Sequence, residues 1–204
     1  MLTFYYSKNS SSLAAHILMF EVGAAFETVE VSIAEGAHLS EAFLAVNPKG
    51  RVPALGTPDG IITENPAILE YIAATHPEAG LLPAGPFAQA KARELCAYLC
   101  ATAHVNFAHG FRGARWADDD ASFADMKRRV PGNMQDCTAY LETNIGPWAL
   151  GDTYSYCDPY LNQFHRWMDK AELSYQGFPK LQAHAEAMRA RPAVQRAYEL
   201  HDLT

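Results

Sequence analysis

The first 80 residues hold only three basic side chains, Lys8, Lys49 and Arg51, against nine acidic ones, while residues 81–204 are close to balance with 13 against 14. A chain without a basic stripe has no electrostatic footprint for a phosphate backbone, which sets nucleic-acid binding aside. No apolar run approaches the roughly 20 residues of a membrane-spanning helix. The N-terminus also lacks a basic region ahead of an apolar one, so the expectation is a cytoplasmic protein with no membrane partner. Cysteine is scarce: Cys96, Cys100, Cys137 and Cys157, with no Cys-x-x-Cys pair. That leaves no obvious zinc ligands and no thioredoxin-type redox pair, and no metal is expected. Cys96 and Cys100 fall one helical turn apart and read as core residues.

What is present is enough apolar content, 49% of 204 residues, to bury one or two cores. The Gly/Pro-rich stretch Ala79 to Pro86 marks a boundary, giving expected domains at 1–80 and 87–204 with a linker at 81–86. In the first, Leu2 to Tyr6 reads as a buried strand and Ser7 to Ser12 as a polar turn. A helix follows with apolar positions Leu13, Ile17, Phe20 and Ala24. Val29 to Ile33 alternates with period two, which predicts a strand with one buried face. The second domain reads as helical almost throughout. Pro86 to Phe111 forms one helix, Asp118 to Asp120 open another, and Pro131-Gly132 should kink or interrupt the stretch that runs on to Asn144. Ser155 and Asp158 fit a capping box before the helix that holds Trp167, and Pro179 and Pro192 begin two further helices.

Residues 47–72, NPKGRVPALGTPDGIITENPAILEYI, carry the strongest functional signal. Val52-Pro53 between a glycine turn and a short apolar run is a candidate cis peptide, which would leave the Val52 backbone free to pair with an extended ligand. Ile61 to Thr63 is a short strand. Glu64 follows it, then Asn65 as helix N-cap and Pro66 as the first helical residue. A free helix N-terminus beside a carboxylate suits a small peptide-like acid bearing both an α-carboxylate and an α-ammonium.

With these residues in order, the chain resembles the glutathione transferase family, nearest the bacterial beta class and its serine-bearing relatives. The likeness rests on Tyr6-Ser7 with Ser11, Ser12 and His16, on NPKGRVPAL (47–55), and on TENPAILEYIA (63–73). Gly151-Asp152 with Ser155 to Asp158, and ARPAVQRAYE (190–199), extend it over nearly the whole chain. It implies an α/β thioredoxin-like N-terminal domain with a mixed four-stranded sheet, an all-α C-terminal helical domain and a homodimer. It also implies glutathione as co-substrate, held by Ser10, Lys49, Arg51, Val52, Pro53, Glu64 and Asn65.

The implied chemistry is stabilisation of the glutathione thiolate, since a free thiol has a pKa of about 8.5 and is mostly protonated at neutral pH. Ser11 stands where beta-class members often carry cysteine, Ser12 follows it, and Tyr6 matches a tyrosine near the end of the first strand. Ser11 is the expected donor to sulfur, ahead of Ser12, with Tyr6 in support; the competing reading is that these serines only cap the helix. Without a cysteine at this turn, thiol transfer through a protein thiol is not expected. The electrophile pocket is expected from His104, Phe107, Phe111, Arg112, Arg115 and Trp116. His104 matches a family histidine, while Val105 stands where lysine is usual. The arginines have an alternative in pairing with Asp118 to Asp120, on the surface or across a dimer interface. The expected activity is conjugation of a hydrophobic electrophile or reduction of an organic hydroperoxide, with aromatic-ether cleavage or dehalogenation open to the same thiolate, and the alternative is a non-catalytic scaffold of the same fold.

Overall fold

The computed structural model describes residues 1–203. Strand β1 (Leu2–Tyr6) leads through the serine turn to α1 (Leu13–Glu21) and then β2 (Phe26–Glu30). After α2 (Glu41–Val46) come β3 (Ala54–Thr57), β4 (Gly60–Thr63) and α3 (Asn65–Thr75). The sheet order is β2-β1-β3-β4, with β1 parallel to β2 and antiparallel to β3, and β3 antiparallel to β4. The expected parallel pair followed by a hairpin is what forms.

Two boundaries in this half differ from expectation. The second strand is Phe26–Glu30, not Val29 to Ile33, because its register is set by β1, with Leu2 opposite Phe26 and Tyr6 opposite Glu30. As the edge strand it needs no buried face, and Val29 is 41% exposed. Val31, which carried the alternation, is buried just past the strand and donates its N–H to the Tyr6 carbonyl at 2.6 Å. Helix α1 stops before Ala24, with Gly23 in the left-handed region at φ 63°.

The other half is helical: α4 (Pro86–Tyr98), α5 (His104–Ala108), α6 (Asp120–Asn144), α7 (Asp158–Lys170), α8 (Pro179–Arg189) and α9 (Pro192–Leu200). The single helix expected over Pro86 to Phe111 is divided by a π-wound turn at Leu99–Ala103 and ends at Ala108. Helix α6 runs unbroken through Pro131, against expectation. Pro131 and Gly132 lie on its exposed side, where water can satisfy the carbonyl that proline leaves without a donor. Asp119 caps α6 by accepting from the Ser122 N–H at 2.9 Å.

One hydrophobic cluster joins the halves, from Phe4, Leu18, Leu69 and Ile72 beside the sheet to Leu95, Leu99, Leu161 and Trp167 among the helices. Cys96, Cys137 and Cys157 are buried and Cys100 half-buried, so the Cys96/Cys100 pair is only partly core. Helix α1 is pinned from behind by Arg191, which donates two hydrogen bonds to Glu21 at 2.6 and 2.9 Å. Among the described residues no helix is long and apolar enough to cross a membrane.

Candidate active site

Three serines close the turn between β1 and α1, and only one keeps a free hydroxyl. Ser10 Oγ lies 2.7 Å from the Ser7 carbonyl and 2.9 Å from Ser12 Oγ, and it accepts from the Ser12 N–H at 3.2 Å. Ser12 is fully buried, and it occupies the N-cap position of α1 without making a side-chain cap. The capping in the competing reading is made by Ser10, whose hydroxyl accepts from the Ser12 N–H and whose carbonyl accepts from the Leu13 N–H, while Ser12 makes no side-chain cap. Ser11 is half-buried, and among the described residues its hydroxyl has no partner. Tyr6 is 5% exposed, with its ring edge-on to His16 at 4.6 Å and tilted against His201 at 5.4 Å. Its place is the packing behind the turn, where burial raises its pKa, with the Glu30 charge adding to that.

The Val52-Pro53 bond is cis. Among the described residues the Val52 N–H and C=O make no hydrogen bond, so an extended backbone has an edge to pair with. The loop before it is held by Asn47, a residue that sequence reasoning did not single out. Its side chain donates to the Arg51 carbonyl at 2.6 Å and accepts from the Lys49 N–H at 3.2 Å, with Asn47 itself 2% exposed. The Asn-Pro-Lys-Gly turn was the available signal. Pro53 is buried beneath this loop.

Glu64, not Asn65, lies outside the helix. It sits at φ 76° and ψ 128°, where a residue with a side chain costs about 1–3 kcal/mol. Lys49 bridges the strand and the helix by contacting Glu64 and donating to Thr63 Oγ1 at 2.7 Å. Asn65 is the first helical residue and makes no cap. Its Nδ2 donates instead to the Ser11 carbonyl at 2.9 Å, while Oδ1 is buried without a partner. The helix N-terminus expected to receive the ligand thus also fixes the serine turn.

Across the cleft, His104 stacks on Trp167 at 4.7 Å, and Phe107 lies 5.9 Å from the same ring. Trp167 is buried core. Burial, reinforced by the charges of Arg112, Arg115 and Arg51, lowers the His104 pKa to about 4, with Glu64 opposing; it is neutral near pH 7. Cys100, on the π-wound turn, is pushed up by burial and also feels Glu64 and Arg51. The expected pocket is only partly assembled. Phe111 is 57% exposed under the Arg112 guanidinium, and Trp116 packs edge-on against His109 at 4.4 Å. A cleft of about 350 Å³ takes in Phe111, Arg112 and Lys127 but not His104, Phe107, Arg115 or Trp116. Among the described residues no group of His, Cys, Asp and Glu could hold a metal ion.

Comparison with known proteins bears on this geometry. Residues 2–74 match the glutathione S-transferase N-terminal domain and residues 105–199 the glutathione S-transferase C-terminal domain. Glutathione S-transferase GstA of Escherichia coli O157:H7 is 30% identical over 98% of each chain. A glutathione transferase homologue from Sulfitobacter, solved with bound glutathione, is 39% identical over 98% of each chain and superposes with a TM-score of 0.94. A sphingomonad glutathione S-transferase in complex with glutathione is 33% identical, covering 99% of this chain and 100% of its own, with a TM-score of 0.81. A thioredoxin-like sheet with a cis-proline loop, a helical half folded against it and these full-length similarities lead to one assignment: the chain belongs to the glutathione S-transferase family.

Proposed function

We propose that the protein is a glutathione transferase that holds the tripeptide along Val52 and the start of α3 and lowers the pKa of its thiol with the Ser11 hydroxyl. The observation that carries this is the one unpartnered hydroxyl of the serine turn, placed on the residue whose carbonyl Asn65 holds. Ser12, fully buried, and Tyr6, packed against two histidine rings, serve that turn from behind. A donated hydrogen bond and the positive end of α1 both favour the thiolate. Together they lower a thiol pKa of about 8.5 by about one to two units, each unit being about 1.4 kcal/mol.

The thiolate then attacks a hydrophobic electrophile, or an organic hydroperoxide, lodged against His104, Phe107 and the helical half. The reading includes an N-terminal glutathione domain at 1–80, a helical domain from 87, and a two-fold dimer. The test is the ultraviolet thiolate absorbance of bound glutathione titrated against pH in the wild type and in Ser11→Ala. A lowered thiol pKa that returns toward 8.5 on substitution supports the mechanism. Absence of binding, or binding with an unshifted thiol, favours a scaffold that has kept only the fold.

A further inference from the structure

The serine turn is tied in two places, and the ties hold different residues. Ser10 Oγ reaches the Ser7 carbonyl at 2.7 Å and Ser12 Oγ at 2.9 Å, which closes the turn around Ser11 without touching it. Two donors reach the Ser11 carbonyl instead. The Ala14 N–H lies 3.4 Å away, long for a hydrogen bond, while Asn65 Nδ2 lies at 2.9 Å, near the ideal. The short bond is therefore the one made from outside the turn.

Asn65 is a firm point from which to make it. It is the first residue of α3 and 5% exposed, and Ile68, Leu69 and Ile72 of the same helix are fully buried. Only the amide nitrogen can donate to a carbonyl, so the bond to Ser11 dictates which way the amide is turned and leaves Oδ1 buried without a donor. A buried acceptor left unpaired opposes folding, so stability alone does not select this arrangement. What it secures is the backbone of the one residue of the turn whose hydroxyl is free.

We propose that Asn65 is a positioning residue for the thiolate: its amide fixes the Ser11 peptide and thereby aims the Ser11 hydroxyl at the glutathione sulfur. This rests on the glutathione-transferase reading and adds to it a residue that acts on the sulfur only through Ser11. A hydrogen bond weakens steeply as its angle opens, so a turn that is free to rock donates less well to a sulfur held in place. The same helix start is where the reading places the charged end of the tripeptide. One side chain thus joins the two ends of the glutathione site.

The experiment titrates the ultraviolet thiolate absorbance of glutathione, with each protein in excess so that all the tripeptide is bound. It uses the wild type, Asn65→Ala, Asn65→Leu, Ser11→Ala and the double variant Ser11→Ala with Asn65→Ala. The alanine and leucine variants both lack the donor and differ in the space they fill. Each is expected to raise the bound thiol pKa by about 0.5–1 unit, an about three- to tenfold loss of thiolate at a pH below that value. Without the Ser11 hydroxyl the same alanine change should move it by less than about 0.3 unit. A raised KM with an unmoved thiol pKa in both variants overturns the inference, because Asn65 would then only bind the tripeptide. An equal shift with and without the Ser11 hydroxyl also overturns it. If the wild-type thiol is itself unshifted, or Ser11→Ala leaves it unmoved, the thiolate reading fails separately, and amide hydrogen exchange in the ligand-free proteins decides the positioning claim. Exchange at Ser12, Leu13 and Ala14 at least about tenfold faster in Asn65→Ala supports it, and unchanged exchange overturns it.

Discussion

Around Asp158 every polar atom has a partner inside the chain. One carboxylate oxygen accepts from the Ser155 N–H at 2.6 Å and its hydroxyl at 3.0 Å, the other from the Ala149 N–H at 2.7 Å and His184 Nε2 at 3.1 Å. His184 Nδ1 lies 2.8 Å from His165 Nε2, and His165 Nδ1 lies 3.0 Å from the Tyr175 hydroxyl, so each histidine can accept on one nitrogen and donate on the other. The cleft is built the other way. The Ser11 hydroxyl and both polar groups of Val52 have no hydrogen-bond partner among the described residues. Buried groups left unsatisfied cost stability, so a fold keeps such openings where a ligand closes them. Satisfied polar clusters report on stability and open ones on binding.

That contrast is sharpest at Asp158. Asp158→Ala strands four donors and should lower unfolding free energy by about 3–5 kcal/mol in chemical denaturation. A loss under about 1 kcal/mol would break the contrast at its firmest point. Between the two extremes stand His16 and His201, joined Nδ1 to Nε2 at 2.8 Å, each with its remaining ring nitrogen buried and unpartnered. Burial lowers both pKa values, with His201 and Lys8 the next causes in turn, to about 3 for His16 and about 4 for His201. The unfolded chain binds these protons more readily, so stability is full above the unfolded value of 6.5 and is lost as pH falls toward 4. The slope is about 1.4 kcal/mol per pH unit for each histidine that remains neutral in the fold. Denaturation midpoints from pH 7 to 4.5 should show this, and a double His16→Phe, His201→Leu variant should flatten the curve.

At the open end, Ser11→Ala should raise the bound thiol pKa by about one to two units and slow conjugation at neutral pH about 10- to 100-fold. Its denaturation midpoint should stay near the wild type; a large stability loss there would show that the hydroxyl is structural. Asn65→Ala removes one hydrogen bond to the Ser11 carbonyl while also removing an unsatisfied oxygen, so its stability cost should be about 1 kcal/mol or less. Its larger effect should be a raised KM for glutathione, measured by steady-state kinetics. Lys49→Ala is the smallest. Its pair with Glu64 is about half exposed on both sides, and screening holds the loss to under about 1 kcal/mol.

The parts legible in the sequence were those encoded locally. The cis Val52-Pro53 loop, the short β3-β4 hairpin, the proline-led helices and the Ser155-Asp158 box each announce themselves within a few residues. What was hidden is set by distant partners. β2 takes its register from β1, and Asn65 abandons the expected cap for a carbonyl 54 positions away. The π-wound turn at Leu99–Ala103 has no compositional mark. The alternative of Arg–Asp pairing rested on proximity in sequence, and within the chain Asp119 instead caps the start of α6.

The bond between His16 and His201 spans 185 positions. On the ribosome β1 and α1 emerge early, with the His16 ring exposed among apolar neighbours that cannot yet close over it. The serine turn in front of that ring acquires its backing only when residue 201 has left the exit tunnel. The serine turn, translated first, therefore gains its full backing only when α9 packs behind His16.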